Sequence, residues 1–283
     1  MRKLKSILYL IRCKHYLKNM LIFVPLFFGE KFLDASRMYS AAIGFLAFCM
    51  ASSFIYIVND ISDVERDRKH PVKCKRPIAS GEISVRMAWT VAVLCLLLSV
   101  VFSLPKETFQ HYWIVALYII LNVLYSRKLK NIPLVDVAIL VSGFVIRIAY
   151  GGLLSDIPIS NWLYLTIIAG AFYLGLGKRR NELQKYAEDD TRVVLSHYNY
   201  NFLDKNMYMC MGLANAFYAL WAIENAHSMM IWTVPLVLLI TMKYSLAVEG
   251  TADADPIEVI LKDKFILACG GIYAIVLMII LYL

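Results

Sequence analysis

The chain has 283 residues, 60% of them hydrophobic, with a mean hydropathy of +0.62. A soluble domain cannot bury that much apolar surface, so the composition excludes a water-soluble globular protein and points to a polytopic membrane protein. The net charge of +8 is spread over connections beside the membrane, which argues against nucleic-acid recognition, and the six cysteines form no Cys-x-x-Cys pair. They read as small core residues and not as a disulfide framework or a zinc site.

The first eighteen residues are basic and amphipathic, with Leu4, Ile7, Leu8 and Ile11 at helical spacing. They are expected to lie on the cytoplasmic membrane surface. No apolar run with a small-residue cleavage site follows, so no removable signal peptide is expected. Nine spans are predicted, at about 17–33, 39–58, 85–104, 109–126, 132–152, 160–177, 205–223, 229–247 and 265–283; Pro25 interrupts the first. Lys and Arg sort across them. Six lie before or at the start of the first span, seven in 59–86, three in 127–130, six in 178–205 and three in 243–264. The opposite connections hold only Lys31, Arg37 and Lys106. By the positive-inside rule the N-terminus is cytoplasmic and the C-terminus is outside. The expected fold is therefore an all-α, nine-helix membrane bundle with a cytoplasm-facing cavity, formed by residues 1–283 as one domain.

The polar features follow in order. Lys18 and Asn19 sit at the mouth of the first span. The second span runs into Asn59-Asp60-Ile61-Ser62-Asp63-Val64-Glu65-Arg66-Asp67. At about 100° per residue, Asn59, Asp60, Asp63 and Asp67 share one helical face. A row of hard oxygen donors suits magnesium, which completes its shell with substrate phosphates. Pro71 to Gly81 forms a stiff loop whose Lys73 and Arg76 fit a polyphosphate ligand beside such a metal. Tyr125 ends the fourth span, ahead of Lys130. Tyr125 suits either a phosphate contact or the interfacial aromatic belt. Asp136 and Arg147 lie within the fifth span, eleven residues apart and so on one face, where ionisable groups mark a site. Arg147 either faces the interior or snorkels outward. A second, mixed-sign cluster follows the sixth span: Lys178, Arg179, Glu182 and Arg192. The connections at 59–84 and 178–204 are thus the expected active-site segments. Asp255-Pro256-Ile257-Glu258 carries a helix-capping signal.

The chain has no Gly-x-x-x-x-Gly-Lys-Ser/Thr loop and no His-Glu-x-x-His. The stretch from Asn59 to Asp67 resembles the first aspartate-rich motif of the UbiA superfamily of intramembrane prenyltransferases, Asn-Asp-x-x-Asp-x-x-x-Asp. The chain is most similar to the superfamily's polyprenyl-phosphate phosphoribosyltransferase branch. The shared features run from end to end: Lys18-Asn19, Asn59 to Gly81, Tyr125-Ser126, Leu129-Lys130, and Arg147 ahead of Gly151-Gly152. They continue with Gly177-Lys178-Arg179, Glu182-Leu183, Arg192-x-x-Leu195-x-x-Tyr198, Pro256-x-Glu258 and Asp263. There are two departures. Arg12-Cys13-Lys14-His15-Tyr16 stands where the family often has Arg-Pro-Lys-Gln-Trp. The second aspartate motif of aromatic prenyltransferases is missing at its usual spacing, and Glu188-Asp189-Asp190 does not supply it.

The resemblance implies transfer of 5-phosphoribose from phosphoribosyl pyrophosphate to a polyprenyl phosphate, releasing pyrophosphate, towards a cell-envelope polysaccharide precursor at the bacterial inner membrane. It implies magnesium on Asn59, Asp63 and Asp67, with catalytic roles for Asp63, Asp67, Asp136 and Glu182. Lys18, Asn19, Asp60, Arg66, Lys73, Arg76, Tyr125, Lys130, Arg147, Lys178, Arg179 and Arg192 would bind substrate. The lipid tail would leave through an apolar gap between helices into the bilayer, and a homo-oligomer is compatible with the sequence. Two other functions fit parts of the pattern: prenyl transfer to an aromatic acceptor, and transport. Transport needs polar groups through the midplane, where Arg147 alone is expected.

Overall fold

Side-chain acceptors set the starts of several helices, as N-terminal N–H groups require. Asp34 accepts from the N–H groups of Ser36 and Arg37, Ser84 from Met87, Asn199 from Phe202, and Asp263 from Phe265 and Ile266. The computed structural model describes residues 2–104, 109–185, 193–225, 227–250 and 256–283, and among them all regular structure is helical. The helices are α1 (Arg2–Leu10), α2 (Val24–Phe28), α3 (Ala35–Ser62), α4 (Val64–Lys69), α5 (Val85–Ser103), α6 (Phe109–Arg127), α7 (Val135–Ser155), α8 (Asn161–Lys185), α9 (Tyr200–Glu224), α10 (Val234–Gly250), α11 (Pro256–Lys262) and α12 (Lys264–Tyr282). Among the described residues, five stretches are long and apolar enough to cross a membrane: 35–62, 85–103, 135–155, 228–249 and 264–282. The expected spans at 39–58, 85–104, 109–126, 132–152, 160–177, 205–223 and 265–283 fall on α3, α5, α6, α7, α8, α9 and α12 in turn.

The chain divides into two compact units. The first comprises Met1–Arg127 and Ile146–Pro158. Its core has two parts. Ile22, Phe48, Ile55, Tyr118 and Tyr150 pack together in one. In the other, Leu10 of α1 packs with Ile57, Ile78 and Ile83. The lead-in helix therefore buries Leu10 against the 76–83 loop, and Ser6 donates to Glu82 at 2.6 Å. Tyr9 on its other side stays 62% exposed.

The first expected span is not one continuous α-helix. Cys13–Phe23 is a 3-10 helix, and α2 follows with Pro25 in its first turn. Two anchors explain the tighter winding. Tyr16 bonds Ser53 at 2.7 Å, and buried Asn19 bonds Cys49 Sγ at 3.2 Å. The segment also approaches α7 backbone to backbone, since a Cβ on Gly151 would lie 2.0 Å from the Ile22 carbonyl oxygen. Backbone cannot yield as a side chain end does. Gly151→Ala is therefore expected to cost about 3 kcal/mol or more, read as a lower midpoint in thermal unfolding of the detergent-solubilised protein.

The second unit comprises Lys128–Val145 and Ile159–Leu283. Its core gathers Val137 and Val141 of α7, Tyr173 and Leu176 of α8, Leu203 and Met207 of α9, and Tyr244 and Val248 of α10. α8 runs past its apolar part to Lys185. Lys178, Arg179 and Glu182 therefore ride on its last turns instead of on a separate connection. α11 spans Pro256–Lys262; Asp255, the expected cap, lies outside the described residues.

Candidate active site

The acidic stretch straddles a helix break. α3 ends at Ser62, Asp63 takes φ −98° and ψ 6°, and α4 begins at Val64. Hydrogen-bonded turns carry the i,i+4 spacing across the break: Asp63 N–H donates to the Asn59 carbonyl at 2.9 Å, and Asp67 N–H to that of Asp63 at 2.8 Å. Asp60 and Asp67 are almost fully buried, at 4% and 3% exposure. Burying carboxylates demands counter-charge, and two arginines supply it. Arg76 Nη1 donates to Asp60 Oδ1 at 3.0 Å and to Asp67 Oδ2 at 2.6 Å. Arg12 Nη2 reaches Asp60 Oδ1 at 2.5 Å, with its guanidinium 4.9 Å above the Tyr56 ring. Arg12 adopts a left-handed φ of 55° at the end of α1.

Asn59 Oδ1 accepts from Ser126 Oγ on α6. Asp63 is half-buried, and Arg66 Nη1 lies 3.6 Å from its Oδ1. His70 Nδ1 accepts from the N–H groups of Val72 and Lys73 at 3.1 and 3.3 Å, which shapes the turn leading to Arg76. Among the described residues no three Asp, Glu, His or Cys side chains converge to hold a metal. Magnesium does not require that, since it is bound through one or two carboxylates plus phosphates and water. The hard oxygens of Asn59, Asp63 and Asp67 suit it on those terms.

A second polar group lies deep in the same unit. Arg147 is 5% exposed and faces the interior. Its Nε donates to Asn19 Oδ1 at 2.8 Å and its Nη2 to Tyr118 OH at 3.0 Å, and its guanidinium lies about 5 Å above the Phe48 and Tyr118 rings. Ring faces and amide oxygens stabilise a desolvated guanidinium.

In the other unit, Asp136 and Arg179 are wholly buried. Arg179 Nε donates to Asp136 Oδ2 at 2.5 Å and its Nη1 to Glu182 Oε2 at 2.6 Å. Tyr198 OH donates to Asp136 Oδ1 at 2.7 Å and accepts from the Leu134 N–H at 2.7 Å. Burial, followed by the bond to Asp136, pushes the Tyr198 phenol up to about 12, so the hydroxyl keeps its proton at neutral pH. Asp136 and Arg147, expected on one face of one helix, thus serve different groups. Asp136 meets Arg179 and Tyr198, while Arg147 meets Asn19 and Tyr118. Arg179, expected to clamp a phosphate, is enclosed between two carboxylates.

Of the other expected contacts, Lys18, Lys73, Tyr125, Lys130 and Lys178 are half-buried, and Arg66 is exposed. Arg192 lies outside the described residues. Sequence reasoning missed Arg12, Tyr118 and Ser126. Arg12 is one cation among six in the basic lead-in, and its place at the start of the stretch that departs from the family's Arg-Pro-Lys-Gln-Trp was the only signal that could have found it. Tyr118 sits in an apolar run with no charged neighbour.

Residues 22–258 match the model of the UbiA prenyltransferase family. The decaprenyl-phosphate phosphoribosyltransferase of Corynebacterium glutamicum is 32% identical, over 94% of this chain and 84% of that protein. The protein of the same name from Mycolicibacterium smegmatis is 30% identical, over 90% of this chain and 85% of its own. Among solved structures, a UbiA homolog from Archaeoglobus fulgidus bound to GPP and Mg2+ superimposes with a TM-score of 0.73 at 20% identity, covering 98% of both chains. A match over most of the chain, relatives at this identity and a shared helical fold lead to one assignment: the chain belongs to the UbiA prenyltransferase family.

Proposed function

We propose that the protein transfers 5-phosphoribose from phosphoribosyl pyrophosphate to a polyprenyl phosphate. The observation that carries this reading is the end-to-end similarity to proteins named decaprenyl-phosphate phosphoribosyltransferase. The charged residues are chemically suited to it. In the reaction an oxygen of the polyprenyl phosphate forms a bond to ribose C1. The bond from C1 to the pyrophosphate oxygen breaks, and pyrophosphate leaves with the electron pair. The attacking oxygen is already anionic, so no general base is required. Positioning and charge stabilisation carry the rate.

Phosphates bring roughly −1.5 to −2 charges per monoester. Arg12, Arg76 and Lys73 bind the pyrophosphate end, and planar guanidinium groups match its oxygens. Asp60 positions the two arginines. Asn59, Asp63 and Asp67 would hold magnesium, which would supply neutralising charge to the leaving group; the Archaeoglobus fulgidus homolog was solved with Mg2+. Lys130 and Lys178 provide charge for the second anionic substrate. Asp136, Glu182 and Tyr198 hold Arg179 on the turn that carries Lys178. The family match crosses both compact units, which we read as one domain with nine spans. The sorting of Lys and Arg puts the N-terminus on the cytoplasmic side of a bacterial inner membrane.

The decisive assay gives purified protein labelled phosphoribosyl pyrophosphate and polyprenyl phosphate, with magnesium or with a chelator. A labelled lipid that forms only with magnesium is the expected result. Turnover of a prenyl diphosphate with an aromatic acid, and no labelled lipid, would replace this reading with prenyl transfer.

A further inference from the structure

Asn59 differs from the acids that share its helical face. Asp60 and Asp67 are tied to Arg12 and Arg76, and Asp63 lies near Arg66. The Asn59 side chain has one hydrogen-bond partner among the described residues, Ser126 Oγ, which meets its Oδ1. The contact joins the last turn of α6 to the last turn of α3. Both residues are half-buried and belong to the first compact unit.

The Ser126 hydroxyl has a second acceptor. Its Oγ also lies 2.8 Å from the Asn122 carbonyl, one turn back on α6, which is the usual back-bond of a helical serine. The Asn122 side chain does not compete for it, since its Nδ2 is tied to the Tyr118 carbonyl at 2.8 Å. A hydroxyl has one proton and two lone pairs. One proton therefore faces two oxygens and can serve only one of them fully.

Two arrangements satisfy the group. In the first the proton goes to Asn59 Oδ1, and Nδ2 is turned away from Ser126. In the second the proton goes to the Asn122 carbonyl, the Asn59 amide turns over, and Nδ2 donates to a Ser126 lone pair. The two ends of an amide are nearly alike in shape, and the terminal torsion of Asn is broad, so the half-turn needs no repacking. The choice matters to a cation. Magnesium is bound by oxygen, and an N–H group repels it. The second arrangement turns Oδ1 away from Ser126 and frees it to join Asp63 and Asp67.

We infer that Ser126 is a positioning residue for the metal: by donating to Asn122 and accepting from Asn59 Nδ2, it presents the Asn59 oxygen to a divalent cation. This rests on the metal set of the function proposed above. Ser126 pairs with the amide in both arrangements, so the exchange leaves no buried partner unsatisfied, which would be costly.

Mn2+ binding followed by electron paramagnetic resonance, on detergent-solubilised protein with no substrate present, tests the inference. Ser126→Ala removes the hydroxyl and is expected to weaken Mn2+ binding about tenfold, the lower end of the cost of losing a group that orients a metal ligand. Ser126→Thr keeps a hydroxyl that can make the same bond to Asn122 and should bind Mn2+ as wild type does. Asn59→Asp supplies the decisive background. A carboxylate has two equivalent oxygens and needs no turning. Adding Ser126→Ala to Asn59→Asp should therefore change Mn2+ affinity by less than about twofold, as for uncoupled sites. In turnover, the Mg2+ concentration for half-maximal rate should rise about tenfold in Ser126→Ala, with kcat at saturating Mg2+ retained.

Unchanged Mn2+ affinity in Ser126→Ala overturns the inference. An equal loss with and without Asn59→Asp also overturns it, because the serine oxygen would then act on the metal without the amide. A lower unfolding temperature with activity lost at every Mg2+ concentration overturns it too, since that is the loss of a helix contact. Mn2+ binding as expected, with no transfer of phosphoribose, overturns the functional reading and leaves the role of Ser126 in place.

Discussion

Asp136→Leu should destabilise the protein by about 3–5 kcal/mol, the usual result of removing one partner from a buried ion pair. Both members of this pair are wholly removed from solvent. Without Asp136 the Arg179 guanidinium keeps Glu182 as a partner but loses the charge at its Nε. Tyr198 loses the acceptor for its hydroxyl, and with it the geometry that holds the Leu134 N–H. The double replacement Asp136→Leu with Arg179→Met removes both charges together. It should recover most of the loss, because apolar side chains of similar volume commonly replace a buried pair without penalty. Glu182, only 12% exposed, loses its Arg179 partner in the double variant, so part of the loss remains. Thermal unfolding of single and double variants in one detergent at one scan rate reads the difference, with the single variant on the order of 10 °C below wild type. A double variant that is no more stable than the single one would show that the pair is not the unit of stability. A double variant that is stable but inactive would show that Arg179 serves the chemistry by positioning its neighbours.

The long helices were legible because an apolar run of bilayer length has few other structures open to it. α3, α5, α7 and α12 all lie where hydropathy puts them. The segment from Cys13 to Phe23 was not legible. Its 3-10 winding answers to Ser53, Cys49 and Gly151, which are distant in sequence. The same reason separates what was readable in the candidate site from what was not. The acids of the Asn59–Asp67 stretch announce themselves by local spacing. Of their partners, Arg76 was expected from the adjoining loop, but Arg12 was not, lying 48 residues from Asp60. Asn19 is likewise 128 residues from Arg147. The sequence places Asp136 and Arg147 on one helix, but only packing assigns them to different groups. A helical wheel describes directions around one axis and does not record which neighbours those directions meet.

Charge balance gives Asp63 and Asp67 distinct expected effects. Buried Asp60 and Asp67 and half-buried Arg12 and Arg76 form a group with two charges of each sign. Such a group exerts little net attraction on a polyanion, so binding pyrophosphate there calls for added positive charge. Asp67→Asn removes one negative charge and frees Arg76 from one of its two carboxylates. Phosphoribosyl pyrophosphate should then bind as tightly as before, or more tightly, in the presence of chelator, while Mn2+ binding followed by electron paramagnetic resonance weakens. Asp63 has a different setting. It is half-buried, with exposed Arg66 Nη1 3.6 Å from its Oδ1, and exposed pairs contribute little to stability. Asp63→Asn should therefore leave the unfolding temperature close to wild type while weakening Mn2+ binding. Each variant should lower kcat/KM by about 10²–10³, the scale of losing one electrostatic stabiliser of the transition state. Full activity with unchanged Mn2+ affinity in Asp63→Asn would remove Asp63 from the metal set. If Asp67→Asn instead loses stability and keeps its Mn2+ affinity, Asp67 acts only as the counter-charge of Arg76, and the metal donors must be sought at Asn59 and Asp63.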